Sequence, residues 1–125
     1  MNLLLDTHVL LWWLDDHPSL SQRAKSVIAD GKNLAFVSAA VIWEIRIKHA
    51  LGKLEIPANF LKVLDQQGFE LLDITVNHAY AVGDLPSYHR DPFDRMLVAQ
   101  AKLERLTLVT RDPRLKKYKI PIINA

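Results

Sequence analysis

The chain has 125 residues, the size of one ordinary domain, and it contains no cysteine. The lack of cysteine excludes a disulfide scaffold, a thiolate zinc site and a cysteine nucleophile. The net charge of +2 and the 24% of charged residues fit a globular protein but identify no partner. The longest charge-free apolar stretch, residues 34–43, is too short to span a membrane, and the first residues lack the basic segment of a signal peptide. We therefore expect one cytoplasmic domain, residues 1–125.

Short apolar runs predict strands, and apolar residues at helical spacing, bounded by cap residues, glycine or proline, predict helices. In chain order the predicted elements are strand 2–5, helix 7–14, helix 19–29, strand 34–37, helix 39–51, helix 57–67, strand 69–74, helix 76–82, helix 92–105, strand 106–109, a helix beginning at Asp112-Pro113, and strand 120–123.

This alternation of strands and helices predicts an α/β fold. The predicted strands lack the period-two pattern of a half-exposed sheet, which favours a mainly parallel sheet of about five short strands with helices on both faces. Such a sheet binds ligands beyond the carboxyl ends of its strands, where the strand order reverses. The residues that follow the strands are therefore the first candidates for a site.

Two acidic residues follow predicted strands. Asp6 comes directly after the first strand and Asp112 follows the fourth, so a parallel sheet brings both to one edge. Glu44 and Asp94 share the apolar faces of their predicted helices. Three of these acids also have an ordinary structural explanation. These are an ion pair of Glu44 with Lys48, a first-turn acid favoured by the helix dipole for Asp94, and a helix cap for Asp112.

Together the four acids favour a metal site. Carboxylates brought close to one another repel and do not all ionise, and a hard divalent cation such as Mg²⁺ or Mn²⁺ relieves that repulsion. Thr7 and Thr110 lie beside two of the acids and are predicted to orient a carboxylate or a water, or alternatively to cap the backbone. Asp91, which precedes Pro92, is interpreted only as a helix cap.

Motifs for other chemistries are missing from the sequence. The five histidines show no metal-ligand spacing, and none of them is assigned to the site. No Gly-x-Ser-x-Gly motif is present, and the four glycines do not form a phosphate-binding loop. The sequence therefore gives little support to a serine hydrolase or a nucleotide-binding protein.

Basic residues concentrate after the fourth predicted strand. Tyr118 lies within this run and is a candidate to stack on a base, and the alternative for the whole run is a solvated helix face. Other basic residues flank predicted acids. The candidate contacts to a nucleic-acid backbone are Arg46, Lys48, Arg95, Arg111, Arg114, Lys116 and Lys117.

Four motifs resemble the PIN domain, and more narrowly the VapC-type toxins of bacterial and archaeal toxin–antitoxin pairs. The motifs are Leu-Leu-Leu-Asp6-Thr7-His8, Ser38-Ala-Ala-Val-Ile-Trp-Glu44-Ile, His89-Arg-Asp-Pro-Phe-Asp94-Arg-Met-Leu-Val-Ala-Gln-Ala and Leu-Val-Thr110-Arg-Asp112. They follow the family's order along nearly the whole chain, with the acids 38, 50 and 18 residues apart. Each motif alone is weak, but the four together are quite specific.

The resemblance implies a metal-dependent ribonuclease with a three-layer α/β/α fold. It implies that Asp6, Glu44, Asp94 and Asp112 are catalytic. Asp6, Asp94 and Asp112 would bind Mg²⁺ or Mn²⁺, with Glu44 ligating directly or through a water. It further implies an RNA substrate, a homodimer, and a small antitoxin protein that lays a segment in a groove near the acids. Of the three tryptophans, at least one is expected to be partly exposed, which would suit such a groove.

Two other functions remain open at this point. A receiver-like phosphoacceptor signalling domain would also place acids and Mg²⁺ at a sheet edge. However, Asp6-Thr7 is not the acidic pair it needs, and Asp73 lies within the predicted third strand. A non-catalytic module that binds RNA or a protein would need only the basic residues, and it would leave the inward-facing acids unexplained.

Overall fold

The strands form one five-stranded sheet in the computed structural model, which describes residues 1–125, and every pairing is parallel. The strands are β1 (Asn2–Leu5), β2 (Leu34–Ser38), β3 (Glu70–Leu72), β4 (Thr107–Thr110) and β5 (Ile122–Asn124). Their order across the sheet is β3-β2-β1-β4-β5. The chain therefore moves outward from β1 in one direction and later in the other, and the order reverses between β1 and β4. The predicted α/β/α architecture is confirmed.

Six α-helices pack against this sheet. They are α1 (Thr7–Leu14), α2 (Gln22–Ala29), α3 (Ala39–Ala50), α4 (Phe60–Asp65), α5 (Val76–Ala81) and α6 (Pro92–Glu104). Three of them begin with side-chain caps that the sequence predicts, from Asp6 on α1, Ser38 on α3 and Asp91 on α6. Because α1 and α3 start directly at the carboxyl ends of β1 and β2, their first turns lie at that edge of the sheet.

The prediction of a helix that begins at Asp112-Pro113 is wrong. Only a single 3₁₀ turn forms there, at Leu115–Lys117. The Asp112 side chain accepts from the Arg114 N–H, but Leu115 and Tyr118 then turn into the core. The chain must also reach β5 within a few residues, so a longer helix has no room.

The core is densest around the central strand. Leu3, Leu4 and Leu5 are all fully buried, because a strand with helices on both faces buries both sets of side chains. β3 is an edge strand, and its Leu71 is 67% exposed. No α-helix combines the length and the apolar character that crossing a membrane requires.

The position of Asp73 bears on the receiver-like alternative. Asp73 directly follows β3, whereas the sequence predicts it within the strand. However, β3 lies two strands away from β1, a lateral separation of roughly 10 Å, and Asp73 is not among the residues that line the cleft with Asp6. The fold therefore does not place Asp73 beside Asp6, as a phosphoacceptor site of that kind requires.

Candidate active site

Four acidic side chains meet in a cleft at the carboxyl edge of the sheet. Because β1 and β4 are neighbours, Asp6 at the end of β1 lies beside the segment after β4 that carries Asp112. The capped helices α3 and α6 bring Glu44 and Asp94 to the same cleft, which has a volume of about 880 Å³. The structure therefore brings together all four acids on which the sequence analysis depends.

Burial and mutual repulsion raise the pKa values of two of these acids. Burial raises the pKa of Asp6, and a hydrogen bond with the Thr110 side chain acts in the opposite direction. The pKa of Asp94 is raised to about 7, first by burial and then by the neighbouring carboxylates of Asp91, Asp6, Glu44 and Asp112. At neutral pH the cleft thus holds partly buried negative charges that disfavour one another.

The pKa of Asp112 is shifted in the opposite direction, downward. Arg114 donates to it from the main-chain N–H (2.9 Å), from Nε (3.1 Å) and from Nη2 (2.9 Å). These bonds lower the pKa of Asp112 to about 2, with the Arg114 side chain as the largest cause. Asp112 is therefore more easily ionised than Asp6 or Asp94.

Glu44 is fixed by two partners. The Thr7 hydroxyl donates to Oε1 (2.6 Å) and Lys48 Nζ donates to Oε2 (2.6 Å), while Glu44 is only 7% exposed. The two interpretations of Glu44, an ion pair with Lys48 and an inward-facing acid of the site, thus describe the same side chain. Thr110 similarly hydrogen-bonds Asp6 and accepts from the main-chain N–H of Asp112 at 3.1 Å.

The donor set of the cleft suits a hard divalent cation. Its ligand atoms are mainly carboxylate oxygens, the type that Mg²⁺ and Mn²⁺ prefer. Burial raises the pKa of Asp94 most and the neighbouring carboxylates raise it further, so a bound cation would offset both effects. Asp94 and Asp112 place ligand oxygens close enough to share one ion, and Asp6 and Glu44 line the same cleft. One ligand atom each from His89, Asp94 and Asp112 lie within 4.8 Å of one another.

The sequence matches a known protein family along most of its length. The profile of the PIN domain family matches residues 3–121. The chain belongs to the PIN domain family. Its sequence is also 32% identical over 122 residues to Ribonuclease VapC22 of Mycobacterium tuberculosis, covering 94% of this chain and 92% of that protein. The family resemblance of the four motifs is confirmed.

Solved structures share the fold of this PIN domain. The VapBC2 complex of Rickettsia felis bound to a DNA fragment of its promoter contains a chain that superposes with a TM-score of 0.75 at 19% identity, covering 100% of this chain and 99% of that one. A chain of DNA-bound VapBC from Salmonella typhimurium gives a TM-score of 0.72 at 19% identity, covering 99% and 98%.

The basic residues of the PIN domain divide into two groups. Lys48, Arg111 and Arg114 line the acidic cleft, together with Arg90. The others lie outside it. Arg46 borders a separate groove with α4 and contacts His49, and Lys116 and Lys117 are exposed on the 3₁₀ turn; these three are not lining residues of the cleft.

Arg111 is held in place by more than one contact. Its Nη2 donates to the carbonyls of Ser19 and Ala125, the latter at 2.7 Å. Its guanidinium also lies 4.5 Å from the ring centre of Trp12, a cation–π contact. Arg111 is therefore a fixed positive charge at the rim of the cleft.

Arg95 is occupied by its own protein. Its guanidinium donates to the carbonyls of Val82, Leu85, Pro86 and His89 at 3.0–3.3 Å, and to the Tyr118 hydroxyl at 3.3 Å. Through these contacts Arg95 holds the loop before α6. This role differs from the RNA contact that the sequence suggests.

The base-stacking role predicted for Tyr118 is wrong. Tyr118 is only 5% exposed, and its hydroxyl donates to the Pro86 carbonyl at 2.8 Å. The hydroxyl also accepts from the His89 N–H at 3.2 Å. The ring is part of the core beneath the loop and has no free face of the kind a stacked base would need.

His89 lies in the cleft, although the sequence analysis assigns no histidine to it. The side chain is 4% exposed, and Nε2 lies 2.9 Å from Asp112 Oδ2 and 3.0 Å from Asp94 Oδ2. The single local signal was its position two residues before the helix cap Asp91. The main-chain N–H of Asp91 donates to His89 Nδ1. His89 is thus the residue of the site that sequence reasoning missed.

Proposed function

We propose that this PIN-domain protein is an endoribonuclease that hydrolyses RNA phosphodiester bonds with Mg²⁺ or Mn²⁺ and acts as the toxin of a toxin–antitoxin pair. The observation that carries the proposal is the single cleft in which Asp6, Glu44, Asp94 and Asp112 meet. The similarity to a VapC ribonuclease along nearly the whole chain supports the same conclusion.

The acids would hold the metal and its surroundings in a fixed geometry. Asp6 and Asp94 would be the principal ligands, with Asp112 completing the set. When bound, Mg²⁺ or Mn²⁺ would lower the pKa of a water and offset the charge on the phosphate under attack. Because Thr7 and Lys48 fix both oxygens of Glu44, that carboxylate can orient a water without rearranging.

The basic rim would bring a polyanion to a cleft of acids. Without it, the carboxylates would repel the phosphates of RNA. Lys48, Arg111 and Arg114 line the same cleft as the acids and supply the compensating charge. Arg46, Lys116 and Lys117 lie further out, where they would contact only flanking phosphates.

The test is a cleavage assay on total RNA with the purified protein in Mg²⁺, in Mn²⁺ and in EDTA. We expect discrete fragments with either metal and none in EDTA or with Asp94→Asn. Asp65→Asn is the matched control, since Asp65 is an exposed acid on α4 outside the cleft. It should cleave like the wild type.

Two outcomes would contradict the nuclease. Intact RNA in every lane, from folded protein free of antitoxin, would argue against cleavage. RNA binding that needs no metal, is unchanged by Asp94→Asn and is accompanied by no cleavage would favour the non-catalytic binding module.

The proposal includes an antitoxin, a homodimer and a cytoplasmic location. The exposed indole of Trp43, at 60%, borders an apolar groove with Phe93 and Met96, a surface suited to a second copy. Light scattering should give the mass of a dimer, and Trp43→Glu should give a monomer. Leu61→Glu, on exposed α4, is the control and should remain dimeric. An antitoxin would be recognised as a small protein whose co-expression restores growth.

A further inference from the structure

His89 is held between two acids of the cleft and its own loop. Its Nε2 faces Asp112 and Asp94, as described above, and the hydrogen-bond geometry directs it at Asp112 Oδ2. On the other side of the ring, Nδ1 accepts a 3.0 Å hydrogen bond from the main-chain N–H of Asp91. The proposed mechanism does not yet use this buried side chain.

The contact with Asp91 determines which ring nitrogen carries the proton. A main-chain N–H can only donate, so Nδ1 must be the acceptor and carry no proton. In the neutral ring the proton is then on Nε2, where it points at the Asp112 carboxylate.

The same proton prevents His89 from binding a metal in this arrangement. Imidazole binds a metal through an unprotonated nitrogen. Moving the proton to Nδ1 would free Nε2, but it would oppose two N–H groups across the 3.0 Å contact with Asp91. Although the spacing of His89, Asp94 and Asp112 suits a metal, the hydrogen bonds make His89 a donor.

We propose that His89 is a positioning residue. As the neutral Nε2–H tautomer it holds the Asp112 carboxylate beside Asp94, so that both face a divalent cation that His89 itself does not bind. The inference rests on the proposed metal site. Arg114 donates to the same carboxylate from Nε to Oδ1 and from Nη2 to Oδ2, so its orientation is set from two sides.

Two substitutions separate the functions of the two ring nitrogens. His89→Asn keeps an acceptor near the δ position for the Asp91 N–H but loses the donor at the ε position. His89→Gln can place an N–H donor near the ε position. We expect His89→Asn to weaken Mn²⁺ binding by about 10–100-fold, the usual effect of removing a hydrogen-bond partner of a metal ligand. His89→Gln should retain most of the affinity.

The measurements are calorimetric titration of the purified proteins with Mn²⁺ and pulsed EPR of the bound ion. Wild-type EPR should show no directly coupled nitrogen. Equal Mn²⁺ affinity of His89→Asn and the wild type would overturn the inference. A directly coupled nitrogen that disappears in His89→Asn would also overturn it, because His89 would then be a ligand. Should His89→Asn fail to fold, His89→Gln and the wild-type spectrum still decide.

These results are independent of RNA cleavage. If Mn²⁺ binding follows the expected pattern but no RNA is cut, the proposed nuclease fails and the role of His89 stands. If the wild type cuts RNA and His89→Asn binds Mn²⁺ equally well, only the role of His89 fails. A wild-type protein that binds no Mn²⁺ would overturn both.

Discussion

The Thr7 hydroxyl donates a 2.6 Å hydrogen bond to Oε1 of Glu44, although 37 residues separate the two in the sequence. Thr7 is the first residue of α1 and follows Asp6 directly, whereas Glu44 lies in the middle of α3. The bond therefore ties the end of β1 to a helix that begins at the end of β2. Together with Lys48 on Oε2, it accounts for both oxygens of a nearly buried carboxylate.

Removing this hydroxyl should destabilise the protein. We expect Thr7→Val to lower the free energy of unfolding by about 1–3 kcal/mol, because a buried carboxylate oxygen loses its donor. Thr7→Ser keeps the hydroxyl and serves as the control, with a smaller loss. Urea unfolding followed by tryptophan fluorescence compares the two variants. Equal stabilities would show that the bond contributes nothing.

The raised pKa of Asp94 makes the metal-free protein less stable as the pH rises. The folded value is about 7 against an ordinary 3.8, so between these values the folded state binds more protons than the unfolded state. The free energy of unfolding then falls as the pH rises through this window and levels off above it. Asp94→Asn removes the titration. In EDTA, the free energy of unfolding of Asp94→Asn should exceed that of the wild type most above about pH 7. The difference should disappear near about pH 4.

Urea unfolding of both proteins at several pH values measures this difference. Asp6 has a pKa shift in the same direction, but it is present in both proteins and cancels to first order. Adding Mn²⁺ above neutral pH should stabilise the wild type and not Asp94→Asn, because only the wild type retains the full set of ligands. A stability difference that does not change with pH would contradict the raised pKa.

The convergence of the four acids could be predicted in part because each lies in a regular element or within two residues of one. Asp6 and Asp112 follow buried strands, and parallel strands end at one edge. Glu44 and Asp94 interrupt apolar helix faces, which fixes the direction of their side chains. Topology therefore predicts that Asp6 and Asp112 share an edge, periodicity predicts that Glu44 and Asp94 face inward, and the resemblance to the PIN domain joins all four in one site.

His89, Arg95 and Tyr118 were harder to interpret for the opposite reason. Residue 89 lies in a loop without periodicity, and its partner Asp112 is 23 residues away. Arg95 has the same charge in the sequence whether its guanidinium faces RNA or main-chain carbonyls. Only the path of the loop before α6, which the sequence pattern does not specify, decides between these roles.

Arg95 is expected to determine the order of that loop. We expect Arg95→Lys to lower the free energy of unfolding by about 1–3 kcal/mol. The single ammonium group of lysine cannot make all the hydrogen bonds that the guanidinium donates to several carbonyls. Hydrogen exchange of residues 82–89 should be faster. Arg90→Lys, an exposed neighbour in the same loop, is the control. Unchanged exchange together with a loss of RNA affinity would instead favour the RNA contact suggested by the sequence.

Arg114 should have opposite effects on the metal and on RNA. Asp112 accepts from the Arg114 main chain and Nε on Oδ1, and from Arg114 Nη2 and His89 on Oδ2. Two of these four bonds come from the Arg114 guanidinium, which also brings a positive charge to the carboxylate. Arg114→Gln removes a competing cation, so we expect tighter Mn²⁺ binding. The same change removes a phosphate contact, so RNA should bind more weakly.

Titration with Mn²⁺ and RNA anisotropy at several salt concentrations test the two effects separately. The RNA measurement uses Asp94→Asn as background to prevent cleavage, and the salt slope should fall by about 1 with Arg114→Gln. Lys117→Gln is the control for the metal, since Lys117 is exposed and outside the cleft. Weaker Mn²⁺ binding by Arg114→Gln would mean that the guanidinium orients Asp112 for the cation more than it competes with it.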